Sequence, residues 1–171
     1  CYQRTLADRS LVMIGGGRDS AVTVKAIQRA DEPFNCMMLN PGVAASEIAR
    51  HAGAANPVIV RRAIQPQLLE LNRQGFLNGH TPFSAYLAFL NAACLLIYDY
   101  SRVIVSNERS SDEENVIYRN AKINHQYSKS FRFETRFDEY LQKYLLRDAR
   151  YFSFVRPWYE IQIARAFAAF P

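Results

Sequence analysis

Apolar and polar positions fall in blocks along this chain, and the blocks have the lengths of strands and helices in turn. Leu11–Ile14 is a short continuous apolar run that reads as a buried strand. The polar break after it leads into a helix over Ser20–Arg29, with Asp19 or Ser20 placed to cap it. A second apolar run, Asn35–Asn40, ends in Asn-Pro-Gly, and Ala44–Ala52 reads as a helix closed by Gly53. Pro57–Val60 is a third strand, rich in β-branched residues. Gln67–Asn72 predicts a short helix before the turn-rich stretch Gly75–Pro82. Phe83–Tyr98 predicts a longer one, because Phe83, Leu87, Leu90 and Cys94 recur at intervals that share a face. Arg102–Val105 is a fourth strand, followed by a polar, charge-dense loop over Ser106–Asn115. Phe131, Phe137, Tyr140, Leu141, Tyr144 and Leu145 predict another amphipathic helix. Pro157 suits the first turn of a last helix running to Phe167.

Strands alternating with helices predict an α/β fold built on a parallel sheet with right-handed crossovers. Ligands in such sheets bind beyond the carboxyl ends of the strands. Three polar segments fall at that edge: Gly15–Ser20, Asn40 and Ser106–Asn115. Neither a repeat nor a low-complexity tract nor a second domain is evident, so residues 1–171 read as one domain. The chain begins at Cys1 and stops at Pro171 directly after a helical pattern, so that domain is expected to be a piece of a longer protein.

Composition narrows the partners. With 171 residues and 49% hydrophobic content the chain can bury one sizeable core. A net charge of +5 and a pI near 9.2 suit an anionic ligand such as a nucleotide, a nucleotide sugar or RNA. The basic residues are dispersed, with no run longer than Arg61-Arg62, so a dedicated nucleic-acid surface is not expected. The three cysteines share no metal-ligand spacing. Cys36 and Cys94 lie in apolar segments and are predicted to be buried free thiols, which suits a reducing cytoplasm. No signal-peptide pattern is visible, and the apolar stretch over Ala85–Tyr98 is too short and interrupted to span a membrane.

The candidate chemistry starts at Gly15-Gly16-Gly17-Arg18-Asp19-Ser20. An apolar strand followed by a glycine turn and a helix start presents free N–H groups to an anion, most often phosphate. The spacing is not that of a Walker loop, which needs Lys-Ser/Thr after its second glycine. Nor is it the dinucleotide G-x-G-x-x-G, whose third glycine falls on Ser20. An ordinary turn between strand and helix is the alternative. In Ser106-Asn107-Glu108-Arg109-Ser110, the carboxylate of Glu108 can hold Mg²⁺ and the guanidinium of Arg109 can clamp a carboxylate or phosphate. The same loop can equally be a solvated surface. His80 can serve as an acid, a base or a phosphate contact, or satisfy a turn. Asn124–Ser130 concentrates hydrogen-bonding side chains around Tyr127, either for a site or to cover a helix start. Arg156, just before the proline-started helix, would add its charge to the helix dipole; the alternative is a surface pair with Glu160. Trp158 reads as a packing residue, and Lys25 and Arg29 as solvated.

The glycine segment matches the PP-loop pattern S/G-G-G-x-D-S, which identifies the chain as similar to the PP-loop ATP pyrophosphatases. Within them it resembles the bacterial epimerases that act on UDP-N-acetylmuramoyl-L-alanyl-L-glutamate (MurL type). That likeness rests on Ile14–Ser20, Gly79–Ser84, Ser106–Ser110, Ile123–Ser130, Tyr151–Pro157 and Glu160–Ala164. Two positions depart from the family: Arg18 stands where lysine is usual, and Pro-Trp-Tyr over 157–159 replaces Pro-Leu-Ser. The family is also longer at both ends. The resemblance implies a three-layer, Rossmann-like sheet of the adenine nucleotide alpha hydrolase type. It implies ATP and Mg²⁺ as cofactors and a UDP-linked muramoyl dipeptide as substrate. The reaction would invert the terminal L-glutamate to D-glutamate, releasing AMP and pyrophosphate, in the cytoplasm of a bacterium. A peptide ligase of the D-glutamate stage would be its functional partner; nucleic acid and membrane are not expected partners. On the resemblance, Gly15, Gly16, Gly17 and Ser20 cradle the phosphates, Arg18 offsets their charge, Asp19 holds Mg²⁺ and Asn40 lies near the adenosine. Asn107, Glu108, Arg109, Lys129 and Arg156 bind substrate carboxylates or pyrophosphate. His80, His125, Tyr127 and Glu108 are the catalytic candidates. Another PP-loop adenylating enzyme, acting on tRNA or forming an amide, is the alternative activity; a non-catalytic nucleotide-binding module is the alternative class.

Overall fold

The computed structural model describes residues 5–76 and 82–170. Its centre is a five-stranded, wholly parallel sheet of β1 (Ser10–Met13), β2 (Phe34–Leu39), β3 (Val58–Val60), β4 (Arg102–Val105) and β7 (Arg150–Ser153), in the order β3-β2-β1-β4-β7. Side chains alternate across it as the pleat requires. Leu11, Met37, Val103 and Tyr151 face one core, completed by Ala88, Ala92 and Leu95 of α4 (Phe83–Tyr98) and Phe137 of α5 (Phe131–Tyr140). Val12, Cys36, Met38 and Ile104 face the other, completed by Val24 and Ile27 of α1 (Arg18–Arg29) and Ala45 and Ala49 of α2 (Val43–His51). The result is a three-layer α/β architecture on a parallel sheet, as predicted. Two-sided burial explains why β1, β2 and β4 read as unbroken apolar runs. Cys36 and Cys94 are buried free thiols, as predicted.

The chain moves outward from β1 through β2 to β3, then returns to place β4 on the other side of β1. That reversal opens a crevice at the carboxyl ends of β1 and β4, where an open sheet of this kind takes its ligand. It positions everything that follows.

Several predicted boundaries shift. Helix α1 opens at Arg18 with Gly17 as its N-cap; neither Asp19 nor Ser20 caps it, and the Ser20 hydroxyl instead donates to the Gly17 carbonyl at 2.8 Å. In α4, Leu87 and Cys94 are buried as predicted while Phe83 at the helix start is 41% exposed. The helix predicted through Leu145 is regular only to Tyr140 and closes in a π turn over Leu141–Leu145. Pro157 does not open the last helix: α6 spans Glu160–Ala168, starting where Tyr159 N–H donates to the Gln162 side chain at 2.8 Å. Ile163 seals α6 onto Val22 of α1. Trp158 is left about a third exposed rather than packed.

Three strands escaped prediction. β7 is Arg-Tyr-Phe-Ser, too short and too polar at its ends to stand out. β5 (Val116–Tyr118) and β6 (Ala121–Ile123) form an exposed hairpin outside the main sheet. Its two-residue turn, Arg119-Asn120, has positive φ at both positions, a type I′ geometry without the usual glycine. Helix α3 (Pro66–Arg73) buries no residue. Among the described residues no helix is long and apolar enough to cross a membrane.

Candidate active site

The glycine loop leaves β1 with different demands on each glycine. Gly16 has φ +94°, and a Cβ there would stand 3.1 Å from the Ala45 amide nitrogen at the start of α2. Its glycine is required by backbone conformation and by packing. At Gly15 and Gly17 an added Cβ would meet nothing within 4 Å, so neither is required by packing. Both border a cavity, and their bare backbone leaves room for an atom to approach it. No side chain caps the N-terminus of α1 behind them, so its first N–H groups remain available to an anion.

Asp19 lies one residue further. Burial first, and the Glu108 carboxylate second, push its carboxyl above the ordinary range, with Arg18 pulling partly the other way. Arg18 itself reaches away, to Glu160 at the start of α6, at 2.7 Å. Thr23 donates to the Asp19 carbonyl at 2.9 Å and accepts from the Ser106 hydroxyl at 2.9 Å, which ties α1 to the loop after β4.

That loop tightens into a 3₁₀ turn over Arg109–Asp112. One Glu108 carboxylate oxygen accepts from the Ser110 hydroxyl; the other, Oε2, is buried with no hydrogen-bond partner among the described residues. A second segment, running through a 3₁₀ turn at Tyr127–Lys129 to Ser130, lies against it. Asn124 donates to the Ser111 carbonyl at 2.9 Å, and Ser130 caps α5 by accepting from Phe133 N–H at 3.1 Å.

Two cavities meet here. One, about 300 Å³, has Met13, Leu87, Val105 and Tyr151 as its walls and Gly15 and Gly17 at its edge. Burial raises the Tyr151 phenol strongly, so it stays a protonated donor. The other, about 250 Å³, is polar, lined by Ser110, Ser111, Asn124 and Gln126 with Glu108 and Glu113. Asp19, Ser106, Asn107 and Lys129 line both.

The crevice therefore gathers Gly15, Gly17, Asp19, Ser20, Asn107, Glu108 and Lys129 of the predicted residues. Among the described residues it does not gather the others. The Asn40 amide joins two loops, donating to the Arg62 carbonyl at 2.7 Å and accepting from Arg62 N–H at 2.8 Å, and faces neither cavity. Arg109 lies over the Tyr159 ring at 4.9 Å. His125 is exposed beside Asn115, and Tyr127 stands edge-on to Phe133. Arg156 is no dipole-boosting surface residue: it is largely buried and paired with Glu134 at 2.7 Å. His80 lies outside the described residues. Prediction missed Ser106, Ser110, Ser111, Asn124 and Gln126 as cavity walls. Asn124 and Gln126 alternate with His125 and Tyr127, and it is the two amide residues rather than the two titratable ones that line the cavity.

The family model and the named relatives converge on one group. A model of the MurL N-terminal domain matches residues 2–154. The chain is 36% identical over 160 residues to a UDP-N-acetyl-alpha-D-muramoyl-L-alanyl-L-glutamate epimerase of Xanthomonas oryzae pv. oryzae, covering 93% of this chain and 35% of that protein. A protein of the same name from a Micromonospora species is 34% identical, with 94% and 36% covered. The chain thus spans about a third of the length of the curated relatives it matches. A predicted tRNA methyltransferase subunit of Methanocaldococcus jannaschii shares the fold, with a TM-score of 0.52 over 96% of this chain and 76% of that one, at 13% identity. On the match that runs from the glycine loop through β7, the chain belongs to the MurL N-terminal domain family.

Proposed function

We propose that this chain forms the nucleotide-activating site of an epimerase that inverts the terminal L-glutamate of UDP-MurNAc-L-Ala-L-Glu. The observation that carries the reading is the pair of joined cavities, one edged by bare glycine backbone at a helix start and the other walled by amides and hydroxyls. The relatives' names supply the substrate.

The residues fit a nucleotide and its cation. The open positions at Gly15 and Gly17 suit phosphate oxygens, and the apolar walls suit an adenosine. Asp19 is a carboxylate of the kind that holds Mg²⁺ together with phosphates, and Glu108 adds negative charge near it. ATP supplies the adenylyl group that neutralises the α-carboxylate and acidifies the neighbouring C–H. Without that, removing the α-proton would build a second negative charge beside the first.

The chain's own residues do the rest. Lys129, shared by both cavities, meets negative charge passing between phosphate and glutamyl carboxylate. Ser110, Asn124 and Gln126 offer hydrogen bonds to the peptide amides. Of the catalytic candidates within the described residues, Glu108 borders the polar cavity and His125 and Tyr127 do not, so Glu108 is our choice to move the proton. The product would pass to a peptide ligase of the D-glutamate stage.

The test incubates the intact protein with ATP and the UDP-linked dipeptide. AMP and pyrophosphate should be released only when both are present, with D-glutamate in the product. Release driven by tRNA, or by ATP alone, would overturn the reading.

A further inference from the structure

Arg156 has five N–H donors, and the fold engages all five. Nε donates to Glu134 Oε2 at 3.0 Å, and Nη2 donates to the same oxygen at 2.7 Å. Nη2 also reaches the Lys129 carbonyl at 2.8 Å. Nη1 donates to the Glu108 carbonyl at 3.0 Å and to Ser111 Oγ at 3.1 Å. The remaining Glu134 oxygen accepts from Ser153 N–H at 3.0 Å, at the end of β7. Both side chains are nearly buried, at 12% and 8% exposure.

Stability alone is a weak reason for such a pair, because apolar replacements of buried ion pairs are often neutral or better. What an apolar pair could not supply is the bridge between two carbonyls. Those carbonyls belong to Glu108 and Lys129, the charged residues that two separate loops bring to the polar cavity. Ser111 reinforces the same junction, its one hydroxyl hydrogen shared between the Glu108 carbonyl at 2.6 Å and the Lys129 carbonyl at 3.2 Å. We propose that Arg156, held by Glu134, is a positioning residue that fixes the separation of Glu108 and Lys129 across the cavity. The consequence for turnover rests on the function proposed above; the bridge itself does not.

The discriminating variant is Arg156→Lys. It keeps the charge opposite Glu134 but has a single ammonium in place of a planar fork, so it cannot span both carbonyls. In the intact protein, kcat for dipeptide-dependent pyrophosphate release should fall about 100-fold, the scale of an ångström misplacement. By hydrogen exchange, amides over 108–112 and 124–130 should lose protection together, while β1 and α1 keep theirs. Wild-type kcat with wild-type exchange in both loops would overturn the proposal. So would protection lost evenly across the sheet, which marks a structural role only. If Arg156→Lys fails to fold, Ser111→Ala, which leaves the ion pair intact, is read by the same two measurements. A wild-type protein that releases no pyrophosphate with the dipeptide sinks the functional reading, and the exchange data then decide the bridge alone.

Discussion

The two sides of the crevice are built in opposite ways. On the β1 side, the turn itself is held by bonds between near neighbours, Ser20 to Gly17 three residues apart and Thr23 to Asp19 four apart, and the long bonds there, Arg18 to Glu160 and Ser106 to Thr23, tie the formed helix to other elements. The backbone does the work, and glycine makes it available. On the β4 side, local bonds from Ser110 and Ser111 to Glu108 are joined by long ones that set the loops against each other. Ser153 donates to the Asn107 carbonyl at 2.6 Å across 46 residues, and Arg156 reaches Glu108 across 48 and Lys129 across 27. A backbone-built half can form as soon as its own strand and helix form. A side-chain-built half exists only once β4, β7 and α5 have come together, so it is where a remote substitution does most harm.

The strongest test of that contrast is Glu134→Ala. It leaves the Arg156 guanidinium buried without its counter-charge, and the loss should be about 3–5 kcal/mol, read by urea unfolding. A loss no larger than that of an average surface change would mean the long-range network is not what holds this half. Gly16→Ala is the matching test on the β1 side. It forces a Cβ onto a φ of +94° and toward the Ala45 amide, and should cost about 1–3 kcal/mol by the same measurement. If it cost more than Glu134→Ala, the ranking of the two halves would reverse.

The same contrast explains what could be read from the chain. The central strands were legible because burial on both faces makes them apolar throughout. The glycine loop was legible because its chemistry is contiguous. Strand β7 was not, since Arg150 and Ser153 bracket only two large apolar residues and the strand is defined by pairing with β4. Arg156 was misjudged for a related reason. Beside Pro157 it looked like a residue at a helix start, and nothing local points to Glu134, its partner 22 residues earlier. Asn40 shows the converse: it does lie at a strand's carboxyl end, but with φ +45° and both amide ends on Arg62 it serves the turn.

Gly15→Ala separates ligand from fold within the glycine loop. Its Cβ would enter open space, so urea unfolding should be unchanged. Nucleotide affinity, by titration with a fluorescent ATP analogue, should fall about tenfold, or about 1.4 kcal/mol. Unchanged affinity would remove the cradle from the site while leaving the fold description intact.

Asp19→Asn carries the smallest effect and bears on the place where the halves meet. Burial, then Glu108, raises the Asp19 carboxyl in the folded protein above its ordinary range. The folded state therefore keeps that proton to a higher pH than the unfolded chain does. The stability this brings is fully present below the ordinary carboxylate value and is lost as pH rises through the raised one. Asn, neutral throughout, undergoes no such loss. Wild type should thus lose ground to Asp19→Asn as the pH rises above the ordinary carboxylate range, read as a widening gap between their urea midpoints. Water reaches this crevice and screens the charge, so the gap stays small. A gap of constant size would show that burial and Glu108 together do not raise the Asp19 carboxyl where the two halves meet. Adding Mg²⁺ sharpens the test: a cation held by Asp19 stabilises the wild type and not the variant, closing the gap from the neutral end downward.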